Sequence, residues 1–150
     1  MAANIPHSAF RIPHFAIKCD ILVVGAGPAG SSAALAAARE GMQVLMVERK
    51  AKAGVPVRCA EYMPAPLLGK VGVDHNFVVQ RVRGMRTFLP GGEMKEMVAP
   101  GFTIRRDLFD QALAREAGDA GVKILFSTRT LADNLDGPVL KMPDGSLASV

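Results

Sequence analysis

The chain has no run approaching the roughly 18 consecutive apolar residues that a membrane-crossing helix needs. Its N-terminus also lacks the apolar segment and small-residue cleavage site of a secretory signal. His7, Arg11, Pro13 and His14 interrupt it, so residues 1–18 read as a flexible N-terminal extension. A peripheral membrane contact through Phe10, Ile12 and Phe15 is the alternative, which Pro6 and Pro13 oppose because proline breaks a helix. Cysteine is scarce. Cys19 and Cys59 form no C-x-x-C and have no histidine cluster, which argues against a zinc site or a disulfide framework and makes a reducing cytoplasm the expected compartment. Aromatic residues are only 5% of the chain, and the net charge of +4 is scattered. The densest basic patch, Arg81, Arg83 and Arg86, alternates with apolar residues like a solvated strand face. Without interleaved aromatics or a known module, nucleic acid is not an expected partner.

What the chain does hold is size and one well-ordered motif. Its 150 residues, 49% hydrophobic, can bury a core of about one domain. Ile21 to Val24 is a short apolar run rich in β-branched residues, expected to be a strand buried on both faces. It leads into Gly25-Ala26-Gly27-Pro28-Ala29-Gly30, a G-x-G-x-x-G loop. An alanine-rich helix, Ser31 to Glu40, follows and stops at Gly41. A second apolar strand, Gln43 to Val47, ends on Glu48. In such a unit Gly25 makes the tight turn, Gly27 lets the backbone approach a pyrophosphate and Gly30 allows close helix–sheet packing. The free N–H groups at the helix start hold the anion. Glu48, eighteen residues past Gly30, is placed to accept hydrogen bonds from ribose hydroxyls. Strand, loop, helix, strand and acid in this order indicate an ADP-containing cofactor.

Beyond Glu48, residues 49–68 read as loop, with Gly54, Pro56, Pro64 and Pro66. Phe77 to Met85 is expected to be extended. A hairpin joins Gly84–Leu89 to Glu93–Val98 through Pro90-Gly91-Gly92, and Phe102–Arg105 is a further strand. Arg106 to Gly118 has helical spacing, and Val122–Ser127 is expected to join the parallel sheet. A last hairpin pairs Val139–Met142 with Leu147 onward through Pro143-Asp144-Gly145-Ser146. The expected class is therefore α/β: a Rossmann-like FAD/NAD(P)-binding domain, a parallel sheet with β-hairpin insertions, incomplete at the C-terminus. Residues 19–150 would be a partial FAD-binding domain without its substrate domain, either a truncated product or a piece of a longer protein.

Two further segments carry a resemblance. Pro56-Val57-Arg58-Cys59-Ala60-Glu61, and the R-x-x-F-D-x-x-L-A pattern of Arg106, Phe109, Asp110, Leu113 and Ala114, resemble the geranylgeranyl reductase family of FAD-dependent oxidoreductases. That family lies within the p-hydroxybenzoate hydroxylase-like flavoproteins. The resemblance spans roughly Cys19 to Val150. It implies an FAD cofactor held by Gly25, Gly27, Pro28, Ala29 and Gly30 at the pyrophosphate and by Glu48, with neighbouring Arg49, at the ribose. Arg58, Cys59 and Ala60 would lie beside the flavin and Arg106 near the phosphate or ribityl region. The backbone of Thr130 would meet the adenine. No catalytic residue and no metal ligand is assigned. The implied reaction reduces carbon–carbon double bonds of isoprenoid chains, with hydride delivered by the reduced flavin. NADPH, ferredoxin or another reductant would supply electrons, and an isoprenoid or prenyl-lipid would be the substrate. Where relatives usually have glycine after the C-A-E segment, this chain has Tyr62, whose bulk is expected to alter how the loop passes the flavin. The motif that closes over the flavin and the substrate-domain motifs lie beyond Val150 in relatives.

Single residues leave alternatives open. Cys59 is either a thiol beside the flavin or a small buried packing residue. Glu61 is either a site carboxylate or a surface charge. Arg106 is a poor electrostatic choice at a helix start, which favours a phosphate contact. Competing functions are a related FAD monooxygenase, a quinone-linked dehydrogenase, a non-catalytic nucleotide-binding fragment and, more remotely, an NAD dehydrogenase.

Overall fold

The computed structural model describes residues 15–131 and 137–150. Most of the expected extension, with Phe10 and Ile12, lies outside them. The described chain runs through β1 (Phe15–Ala16), β2 (Ile21–Val24), α1 (Pro28–Arg39), β3 (Val44–Val47), β4 (Tyr62–Pro64), α2 (Ala65–Leu68) and β5 (Val78–Phe88). It continues through β6 (Met94–Ile104), α3 (Arg106–Asp119), β7 (Lys123–Leu125), β8 (Arg129–Thr130), β9 (Val139–Lys141) and β10 (Leu147–Ser149).

Three sheets organise these elements. A parallel sheet has the order β2-β3-β7, as expected of β-α-β crossovers. A second sheet, β1-β10-β9-β8, covers one of its faces, and a third, β4-β6-β5, is antiparallel. Alternation along β3 explains the layering. Val44 and Met46 pack with Ala34, Ala114, Ala117 and Val122 on the helix side. Leu45 and Val47 point the other way, into Ile17, Leu140 and Ala148 of the second sheet. α3 is shared between cores, giving Ala114 and Ala117 to the first and Phe109 and Leu113 to a cluster with Met63, Phe77 and Ile104.

Several expectations change. β3, not β2, is the strand buried on both faces: β2 is an edge of its sheet, and Val24 is 63% exposed. The helix after the glycine loop starts at Pro28, because proline's fixed φ and missing N–H suit the first helical turn. The segment expected to be a flexible extension through residue 18 is ordered at its end. β1 pairs with β10, and buried Ile17 donates its N–H to Ser149 O at 2.9 Å. Residues 49–68 include β4 and α2, and Phe102–Ile104 continues β6 rather than forming a separate strand. The strand after Gly121 is shorter than expected but pairs in parallel with β3. The tail hairpin pairs as expected, within the second sheet.

Candidate functional site

The glycine loop crosses from β2 to α1 and is tied down by backbone and by one carboxylate. Gly25 has φ +103°, open to glycine at no steric cost, and its N–H donates to Val47 O at 2.7 Å. Ala26 N–H donates to Glu48 Oε2 at 2.9 Å, and Lys50 N–H donates to Glu48 Oε1 at 2.9 Å. Glu48 thus clamps the loop to the end of β3, and each carboxylate oxygen keeps a free lone pair. A Cβ on Gly30 would lie 1.9 Å from Gly25 O, so only glycine lets the first turn of α1 sit on the loop. A Cβ on Gly27 would meet no protein atom within 4 Å. α1 begins there with no side-chain cap and no acid in its first turn, leaving helix N–H groups for an anion.

Beside the loop opens a cleft of about 340 Å³ lined by Val24, Gly25, Val47, Glu48, Arg49, Thr128, Arg129 and Thr130. The β7–β8 connection is set against Glu48 by main chain, with Thr128 N–H donating to Glu48 O and Ser127 N–H to Lys50 O, both at 3.0 Å. The Thr130 hydroxyl is buried and has no hydrogen-bond partner among the described residues. An open-faced glycine and a bare helix start, beside a cleft lined by a carboxylate with spare lone pairs and by Thr130, fit the phosphates and adenosine of a dinucleotide.

The loop at residues 54–61 forms the second part. Gly54, at φ +72°, packs so closely on α3 that a Cβ would come within 2.9 Å of Asp107 Cα. Glu61 reaches the start of α3, where Arg106 N–H donates to its Oε1 at 3.2 Å, and Ile104 N–H donates to its backbone oxygen at 2.8 Å. α3 has no cap from its own flanking residue, and Glu61 supplies a carboxylate in its place. The Arg106 guanidinium hydrogen-bonds Asp110 one turn on and donates to Cys59 Sγ at 3.2 Å. That ion pair gives the cation at a helix start a matching charge in buried Asp110. Burial pushes the Asp110 carboxyl above its ordinary range, and the Arg106 contact only partly opposes the shift.

Cys59 is exposed, so it is not a buried packing residue. Arg58 and Ala60 are exposed beside it. Tyr62 turns away from the loop: its ring lies over Gly101, and its hydroxyl donates to Ala99 O at 3.1 Å. Its bulk is therefore taken up by the antiparallel sheet. Lys50 links the two parts, since its backbone meets Glu48 while its Nζ donates to Pro56 O at 3.4 Å. The structure thus gathers Gly25, Glu48, Arg49 and Thr130 along one cleft, and Cys59 with Arg106 at the α3 end. Glu61, left open between a site carboxylate and a surface charge, joins the site, and Lys50 and Asp110 join it with no role assigned to them from the sequence. Asp110 carried a further signal in its spacing, four residues after Arg106, whereas Lys50 carried none.

A family model described as FAD dependent oxidoreductase matches residues 20–141. A digeranylgeranylglycerophospholipid reductase of Methanothrix thermoacetophila is 39% identical over 122 residues, 77% of this chain and 31% of that protein. Its counterpart in Methanosarcina acetivorans is 40% identical over 117 residues, 73% of this chain and 29% of that one. Among solved structures, a geranylgeranyl bacteriochlorophyll reductase-like protein of Thermoplasma acidophilum matches with TM-score 0.71 and 30% identity, covering 87% of this chain and 36% of that one. The flavin-dependent brominase Bmp2, in a triple-mutant form, matches with TM-score 0.69 and 20% identity over 89% of this chain and 36% of its own, a likeness of fold alone. The chain spans about a third of the length of these reductases.

Proposed function

The chain belongs to the FAD dependent oxidoreductase family, and from that premise we propose that it is the FAD-binding part of a reductase acting on carbon–carbon double bonds of isoprenoid chains. The observation that carries this reading is the identity of about 40% with two digeranylgeranylglycerophospholipid reductases. In this reading the free N–H groups of Ala29 and Gly30, with Gly25, Gly27 and Pro28 around them, bind the pyrophosphate. Glu48 accepts from the ribose hydroxyls while keeping its bonds to Ala26 and Lys50, and Arg49 and Thr130 flank the adenosine. Arg58, Cys59 and Ala60 face the flavin end, with Arg106 orienting Cys59 rather than binding phosphate. Bound FAD supplies the hydride chemistry. NADPH or ferredoxin fits as the electron source, and a prenyl-lipid as the substrate, presented at a membrane surface.

The test is flavin retention followed by reduction. Purified chain is mixed with FAD, freed of excess and scored for bound flavin absorbance. It is then reduced with dithionite and given a geranylgeranyl lipid. A mass gain of about 2 Da per double bond supports the reading. Retained flavin with no change in the lipid removes reductase activity from this part alone, the same assay on a chain as long as its relatives then deciding the substrate assignment, and no retained flavin removes the cofactor assignment for this chain.

A further inference from the structure

The basic cluster of the β5–β6 ribbon is divided by strand alternation. Successive side chains of β5 point to opposite faces, so Arg81, Arg83, Met85 and Thr87 share one face and Arg86 lies on the other. The register adds Met97, opposite Met85, and Lys95, opposite Thr87, to the first face. Every one of these residues is exposed. Arg86 stands opposite Glu96 on the second face and pairs with it at 3.3 Å. Lys95 has Glu93, from the turn, at 3.7 Å. Arg81 and Arg83 have no carboxylate partner among the described residues. Where the ribbon bulges, both border one hollow of about 540 Å³ with Val82, Val98 and Pro100. Met85 and Met97 are 44% and 54% exposed. One face thus combines two unmatched guanidiniums with bare thioether chains.

We propose that this face of the ribbon seats the protein on an anionic lipid bilayer, with Arg81 and Arg83 on headgroup phosphates and Met85 and Met97 reaching the acyl boundary. The charge decides the occupant. A phosphodiester offers the paired acceptor oxygens that a guanidinium fork takes up, and arginine stays charged at any physiological pH. Its long stem can lie in apolar surroundings beside the methionines while the head stays among the headgroups. Nucleic acid offers the same phosphates but no apolar layer for the methionines. Phe88, the ring that a base could stack on, lies on the other face of the ribbon. This inference goes beyond the flavin reading and does not depend on it.

Flotation of the full chain with vesicles tests this, using phosphatidylcholine alone and an equal mixture with phosphatidylglycerol. Wild type is expected to float with the anionic vesicles, not with the neutral ones, and to be released by salt. Arg81→Gln with Arg83→Gln is expected to weaken binding about thirtyfold, about fivefold for each cation removed from the surface. Met85→Ser with Met97→Ser is expected to weaken it severalfold with the salt dependence unchanged. Lys52→Gln with Arg115→Gln removes the same charge from exposed positions elsewhere, and is expected to bind like wild type. All six positions are exposed, so each variant is expected to keep the wild-type thermal midpoint and flavin retention. No binding to anionic vesicles would overturn the inference. So would an equal loss in K52Q/R115Q, which would show attraction by net charge alone. Wild-type binding by M85S/M97S would overturn the seating of the methionines. Displacement of wild type from the vesicles by duplex DNA would overturn the inference in favour of nucleic acid. Self-association without vesicles, abolished in R81Q/R83Q, would overturn it in favour of pairing between copies along β5, an edge strand. Each failure would leave the flavin reading standing, since flavin retention is scored separately.

Discussion

β3 and the β5–β6 ribbon contain similar side chains and meet opposite fates. Val44, Leu45, Met46 and Val47 are all at most 4% exposed, whereas Val98 is 84% and Phe88 74% exposed. The difference lies in what surrounds each strand. β3 has helices on one face, the second sheet on the other and a hydrogen-bonded strand at each edge. Among the described residues the ribbon is packed at its inner end, where it meets α2, α3 and β4 in the cluster around Ile104, Phe77 and Met63. Its outer half, from Met85 to Val98, shows apolar side chains on both faces, mixed with Arg86, Lys95 and Glu96. Hydrophobicity makes a strand, but layers on both sides make a core.

Matched substitutions sharpen this contrast. Met46 is fully buried, so Met46→Ala is expected to lower stability by about 3 kcal/mol, read as a shift of the urea midpoint. Asp110→Ala comes next, at about 2 kcal/mol, because it leaves the Arg106 guanidinium and its bond to Cys59 without a matching charge. Asp110→Asn isolates the ionisation itself. Burial raises the folded carboxyl above its ordinary 3.8, so the charged form costs stability above the raised value, and that cost is relieved as pH falls through it toward 3.8. Relative to D110N, the wild type is therefore expected to gain stability on acidification through that window. Parallel curves would refute the burial argument.

Gly54→Ala is expected to cost about 1–2 kcal/mol, from its left-handed φ and its contact with α3. Limited proteolysis at Arg58 should then speed up as the loop loosens. The smallest effect belongs to the ribbon. Met97→Ala, at a site 54% exposed, should change stability by no more than about 0.5 kcal/mol. If Met97→Ala cost as much as Met46→Ala, the ribbon would be covered in solution and the contrast would collapse.

The legible parts of the molecule were those whose causes are local. The β2–loop–α1–β3 unit follows from adjacent residues, apolar runs and glycines in order, and so does the turn before Leu147. Phe102–Arg105 reads as a strand apart from Glu93–Val98, but β6 runs unbroken through Gly101. A bulge lies between Val82 and Gly84, and the Tyr62 ring occupies the face that Gly101 leaves bare. The bond between Arg106 and Glu61 joins residues 45 apart, which no local pattern reveals. The exposure of Val24 was hidden for the same reason, since apolar character does not tell an edge strand from a central one.

The Glu48 carboxylate has a kinetic consequence. It fixes the glycine loop through Ala26 and the following turn through Lys50 by bonds within the protein itself. The receiving surface is thus already shaped when a dinucleotide arrives, and little chain entropy is lost on docking. Association should accordingly run at an ordinary bimolecular rate in every variant that keeps this clamp. Differences in affinity among such variants will be differences in residence time. Loss of the clamp, by contrast, would introduce a slow ordering step before capture.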